Sequence, residues 1–208
     1  MNNSKLYYNE NLKKMFGTDD FIELFGSSVE SKIMKYSELK EYDNILDLLT
    51  FKGYYSIIVI ENSYDVGHWV VLVRNTALIF FDPYGKKTDT ELKWISKSQN
   101  EDLQQYPNTI RDLMETSKIK KYNSKNKYQK VVNGINTFWR WASIAVLFLA
   151  EKGLTLIKMK QTLDQIKRET KKPYDIIAVD LTTLGRVHPN LKCSNLKCSI
   201  LITGQRNF

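Results

Sequence analysis

The chain has 208 residues, 42% hydrophobic and 26% charged, the proportions of one folded domain with a real core. Its 12 Tyr, 9 Phe and 4 Trp carry too much apolar surface for a disordered chain. The 31 basic and 23 acidic residues leave a net charge of +8, which suits contact with polyanions although most surface lysines simply solvate.

The polar start, Met1 to Lys5, leads into no apolar signal core, and the longest apolar run is Ala142 to Ala150, broken by Ser143. A membrane span needs ~20 apolar residues, so no membrane contact is expected. Cysteine occurs only at Cys193 and Cys198. A bridge between them would close a tiny loop, and two free thiols in a reducing compartment are the simpler reading. Zinc takes four soft or imidazole ligands close together. With only His68 and His188 to add, no metal site is expected.

Residues 1–50 have a helical, polar-amphipathic character. Asp19-Asp20 ahead of Phe21, Ile22, Leu24 and Phe25 predicts a helix start, and Leu46, Leu48 and Leu49 a second helical stretch ending before Gly53. The segment Tyr54 to Glu61 (YYSIIVIE) then reads as a strand buried on both faces. His68 to Arg74 (HWVVLVR) is a second strand, Asn75-Thr76 a tight turn and Ala77 to Phe81 (ALIFF) a third strand. Asp82-Pro83-Tyr84-Gly85 stops the ladder. Helix and loop return from Thr90 to Ser117.

The segment from Lys118 to Lys130 holds Lys118, Lys120, Lys121, Lys125, Lys127 and Lys130 with no acid. A solvated loop is its plainer reading, a nucleic-acid contact the second. A long helix is predicted from about Thr137 to Lys152, ended by Gly153, then another over Leu156 to Thr170. Asp175 to Leu184 is mixed in character. There is no internal repeat or linker, so residues 1–208 read as a single domain.

The chemistry starts from the strands. His68 opens one and Asp82 closes its neighbour, so a hairpin-like pairing puts both side chains at one sheet edge. A carboxylate on one ring nitrogen fixes an imidazole's tautomer and orientation when it acts as a base. Either residue alone is ordinarily structural, and the pair is the signal. Gln129 precedes a helix that begins near Asn136-Thr137. A side-chain amide and helix-N-terminal N–H groups are the donors that an oxyanion hole uses, and a cysteine in that first turn would have its thiolate stabilised.

The stretches GHWVVLVR, FFDPYG, the Gln129 segment and NTFWRWASIAVLFL resemble the adenovirus-protease-like cysteine proteases of large DNA viruses, virophages and related elements. SUMO-deconjugating proteases are more distant members. The viral group has GHWV, then FFDPYG, then a Gln, then NTCGRW opening its central helix. The ELKWI stretch, the YPN-containing helix and the lysine- and asparagine-rich loop are also similar, so the resemblance spans about residues 54–165.

That resemblance implies an α+β, papain-like fold, with a small sheet around residues 54–82 packed on the central helix. It gives His68 the role of base, Asp82 that of orienting carboxylate, Gln129 that of oxyanion donor and Trp69 that of a cleft wall. It also implies viral structural or precursor proteins as partners, DNA as a polyanionic cofactor, and location in the virion or host cytoplasm.

Where the family has Cys-Gly, this chain has Phe138-Trp139. Phenylalanine has no lone pair with which to attack a carbonyl, and a side chain in place of glycine crowds the approach of substrate backbone. By the resemblance Phe138 and Trp139 fill the cleft; read from the residues alone, they are a pair of core aromatics at a helix start, and the two readings are compatible. The leading functional expectation is a pseudoprotease that binds virion or capsid-precursor peptides. An active maturation protease is the alternative, with an altered centre or with Cys193 or Cys198 brought in from elsewhere. A non-specific nucleic-acid-binding accessory role, carried by the lysine-rich segment, is the third.

Overall fold

The computed structural model describes residues 3–14, 17–64, 66–132 and 134–187. His188, Cys193 and Cys198 lie outside the described residues, as does any rescue of chemistry by those thiols. In chain order the described elements are α1 (Asn3–Lys13), α2 (Thr18–Phe25), β1 (Ile33–Lys35), α3 (Ile45–Leu48), β2 (Tyr54–Ser63), β3 (Val66–Arg74), β4 (Leu78–Phe81), α4 (Lys97–Asp102), α5 (Thr109–Glu115), β5 (Lys121–Asn123), α6 (Phe138–Ala145), α7 (Leu156–Thr170) and α8 (Tyr174–Val187).

The strands form one five-stranded mixed sheet in the order β1-β2-β3-β4-β5. The three expected strands pair antiparallel, with Ile60 opposite His68 and Val71 opposite Phe81. Two short strands add parallel to the edges. Neither was legible in the sequence, because three residues at a sheet edge carry no period. The second of them lies inside the lysine-rich segment, so that segment is not wholly a solvated loop: Tyr122 pairs with Ile79.

Alternation along the strands feeds two cores. Ile57, Val59, Val71, Val73, Ile79 and Phe81 pack with Phe21, Trp139, Trp141, Leu163 and Ile177. Ile58, Ile60, Val70, Leu72 and Phe80 pack on the other face with Tyr36, Leu39, Ile45, Ile110 and Met114. A sheet covered on both faces has no polar side to show, which is why its strands read as unbroken apolar runs. The fold is α+β and layered, with α2, α6, α7 and α8 on one face and α3 and α5 on the other.

The central helix begins at Phe138 and continues through a wider turn over Val146–Glu151, close to the predicted span. Every residue from Trp139 to Ala145 is buried, as befits a helix enclosed on all sides. Arg140 is part of that interior: its guanidinium donates to Thr182 Oγ1 on α8 and, over 3.0 Å, to Asn11 Oδ1 on α1. The predicted helix over 156–170 is found with those bounds, whereas the stretch after Asp175, mixed in sequence, belongs to α8.

Residues 1–50 have a positional role. Asn136 donates its backbone N–H to Leu12 O (2.7 Å) and its side-chain amide to Lys13 O (3.0 Å). The end of α1 therefore holds the residue two before Phe138. Among the described residues, no helix is long and apolar enough to cross a membrane.

Candidate functional site

His68 and Asp82 meet as expected. Gly67, just before His68, lies so close to β2 that a Cβ there would be 2.1 Å from Ile60 O. Only glycine lets β3 approach at this end. After β4, the Asp82 backbone carbonyl accepts the Gly85 N–H at 2.9 Å, and Gly85 has φ +69°. This turn folds Tyr84 back over the imidazole, with ring centroids 4.7 Å apart and planes 9° from parallel.

His68 Nε2 is 2.8 Å from Asp82 Oδ1. Asp82 is fully buried and also accepts the N–H groups of Tyr84 (2.9 Å, Oδ1) and Lys86 (2.8 Å, Oδ2). Burial pushes its pKa up, but the hydrogen bond and charge of His68, with help from Glu91 and the Tyr84 N–H, hold it below the ordinary value. A carboxylate fixed by backbone donors orients Nε2 and leaves Nδ1 as the imidazole's available nitrogen.

Phe138 opens α6 and lies beside this pair, its ring centroid 5.9 Å from that of His68 with planes at 63°. Tyr84 and Phe138 thus both contact the imidazole. Gln129 reaches the same group through Tyr84: its Nε2 donates to Tyr84 Oη at 3.2 Å and to Ile135 O at 3.1 Å, while its Oε1 is buried without a donor. The amide is therefore tied to protein partners on its donor side. An oxyanion role would require Gln129 to release one of them.

Trp69 differs from the cleft wall expected of it, and Trp139 takes the core-aromatic reading and not the cleft-filling one. They are 6% and 0% exposed, and Phe21 packs against both, at 5.2 Å and 6.4 Å between centroids. Their rings belong to the core under the sheet, not to a cleft wall. The physical reason lies in strand and helix direction. His68 and Trp69 are adjacent on a strand and point to opposite faces, and the second residue of α6 turns into the interior where the first stays at the rim.

Sequence reasoning missed Glu91. It begins a short helical turn over Glu91–Trp94, is 2% exposed, and has no donor for either carboxyl oxygen. Glu91, Asp82 and His68 each place a ligand-type atom within 4.8 Å of the others. Burial and the neighbouring Asp82 push the Glu91 pKa up to about 9, so without a further cation it holds a proton and can donate to Asp82. Its only sequence signal was an acid at the head of the otherwise apolar-basic ELKWI stretch. Burial and the charges of Asp82, Asp175 and Glu91 also raise the Tyr84 hydroxyl to about 12.

On the far side of Tyr84 and Gln129 from the imidazole lies a cleft of roughly 530 Å³, bordered by those two residues, by Val131, Val132 and Tyr174 and by Lys86, Lys127, Lys130 and Lys167, with His68 and Phe138 outside its lining. An adjoining hollow adds Arg168, Lys171 and Lys172 and shares Lys167. Of the lysine-rich segment, Lys127 and Lys130 face this cleft. Lys121 instead pairs with Glu115 at 2.9 Å, Lys120 lies over the ring of Tyr122, and Lys118 and Lys125 are exposed. The α6 start is tied to the cleft wall by Thr137 Oγ1, which donates to Asp175 Oδ1 at 2.6 Å.

The chain matches no family model, no curated protein and no solved structure at a significant level.

Proposed function

We propose that the chain is a papain-like, adenovirus-protease-like viral protein that has lost its nucleophile and serves as a pseudoprotease, holding viral structural or precursor peptides without cutting them. One observation carries this reading. A side chain with no nucleophilic atom, Phe138, occupies the first turn of the central helix next to an otherwise complete His68–Asp82 pair. A base and its orienting carboxylate have no proton to take when the adjoining residue is a hydrocarbon ring. The cleft that begins at Tyr84 and Gln129, with its aromatic and valine borders, is the proposed peptide seat.

The test is incubation of the purified chain with candidate virion precursors. Binding without cleavage is the expected result. Specific cleavage that disappears in His68→Ala would overturn the proposal in favour of an active maturation protease.

A second reading has its own support. Lys86, Lys127, Lys130 and Lys167 border one cleft, so a polyanion such as DNA fits the same surface. Affinity for a nucleic acid should then fall steeply between low and moderate salt, and a flat dependence counts against it.

A further inference from the structure

At the sheet edge the His68–Asp82 pair has a third neighbour, Glu91, that a base and its orienting carboxylate do not need. Asp82 and Glu91 are 0% and 2% exposed, and both face one imidazole. Two buried carboxylates at close range repel and have left their hydration behind. Asp82 has backbone donors, whereas Glu91 has none for either oxygen. Among the described residues no lysine or arginine makes an ion pair with Glu91. A second buried acid set against a carboxylate and an imidazole is neutralised by a proton or by a cation, and the three groups together are a ligand arrangement for the cation.

We infer that His68, Asp82 and Glu91 form a binding site for one divalent transition-metal ion of the zinc, cobalt or manganese type. The three ligand atoms lie within 4.8 Å of one another. Ligands about 2.1 Å from a tetrahedral ion stand roughly 3.4 Å apart, so a pair near the 4.8 Å limit must close by on the order of an ångström when the ion binds. One imidazole and two carboxylates favour such an ion over calcium or magnesium, which take oxygen ligands throughout. Binding releases the Glu91 proton to solvent, after which the dication neutralises both acids; the His68 side chain, 12% exposed, gives the site its contact with water. The expectation of no metal weighed histidines and cysteines alone and left buried carboxylates out. The three side chains would bind the ion whether or not the chain descends from a protease, so failure of the pseudoprotease reading leaves this site standing.

The test is a Co²⁺ titration of the chelator-stripped full-length chain followed by visible absorption, with Zn²⁺ competition by calorimetry. One equivalent is expected, without the thiolate charge-transfer absorption that a cysteine ligand gives. Glu91→Gln and His68→Gln should each weaken it by more than about a hundredfold, beyond what loss of an outer-sphere partner costs. Cys193→Ser with Cys198→Ser should leave it unchanged, and far-UV circular dichroism establishes that each variant is folded. No binding, binding indifferent to Glu91→Gln in a folded variant, or binding lost with the two cysteines would each overturn the assignment.

Discussion

Phe138 lies against His68 with ring centroids 5.9 Å apart, while the opposite partner of that imidazole, Asp82, holds Nε2 at 2.8 Å. The pair is built as a base is built, and its neighbour is a hydrocarbon. Phe138→Cys should therefore create a thiol at a helix N-terminus beside an oriented imidazole, and such thiols titrate well below the ordinary ~8.5. Alkylation by iodoacetamide should be fast at mildly acidic pH and slow again when His68→Ala is added. Cys193 and Cys198 are replaced by serine so that only position 138 is read. A new thiol that reacts no faster than free cysteine, with or without His68, would sink the placement of position 138 as a nucleophile seat.

Introducing cysteine at 138 and glycine at 139 together is the wrong experiment, because Trp139 is a core side chain. Its ring is fully buried against Phe21 and under the Arg140 guanidinium, 4.4 Å from the ring centre. Trp139→Gly should cost about 3–5 kcal/mol through lost burial and the cavity it leaves, read as a shift in the urea midpoint. Phe138→Cys, at the rim, should cost much less. Equal losses for the two would mean that Trp139 does not fill the interior.

Gly67 is the hinge between sequence and site. A methyl group there meets Ile60 O at 2.1 Å and Ile60 C at 2.7 Å, and backbone in a paired strand cannot step aside cheaply. Gly67→Ala should destabilise the fold by about 1–3 kcal/mol and displace the start of β3. In the Phe138→Cys background it should also abolish the thiol activation, because His68 is the next residue. Retained activation with unchanged stability would show that β3 does not run this close to β2.

The parts of this architecture that could be read from sequence are those with a strong period or a long apolar run. Tyr54 to Glu61, His68 to Arg74 and Leu156 to Thr170 gave nearly the observed bounds, and the joining of His68 to Asp82 followed from hairpin geometry. What escaped was set by contacts distant in sequence. β1 and β5 exist because β2 and β4 offer free edges. The interior placement of Trp69 depends on Phe21, which arrives from α2. Glu91 is buried beside Asp82 by a turn whose local sequence has no distinguishing pattern.

Glu91 gives the chain a pH dependence of unusual sign. In the folded state Glu91 keeps its proton up to about pH 9, against an ordinary value of 4.5. Between those limits the native chain binds a proton that the unfolded chain has released. Stability therefore falls as pH rises through the neutral range, by up to about 1.4 kcal/mol per pH unit for one proton. Asp82, whose pKa is lowered, acts oppositely and only at acid pH, where its protonation takes stability away. In chelator-containing buffer, urea unfolding at a series of pH values should show this decline from pH 6 to 9. Glu91→Gln, which carries no removable proton, should flatten it and be the more stable protein at the alkaline end. A variant that keeps the full slope would mean that another group holds the proton, and that the two carboxylates do not share their burial as the geometry has them.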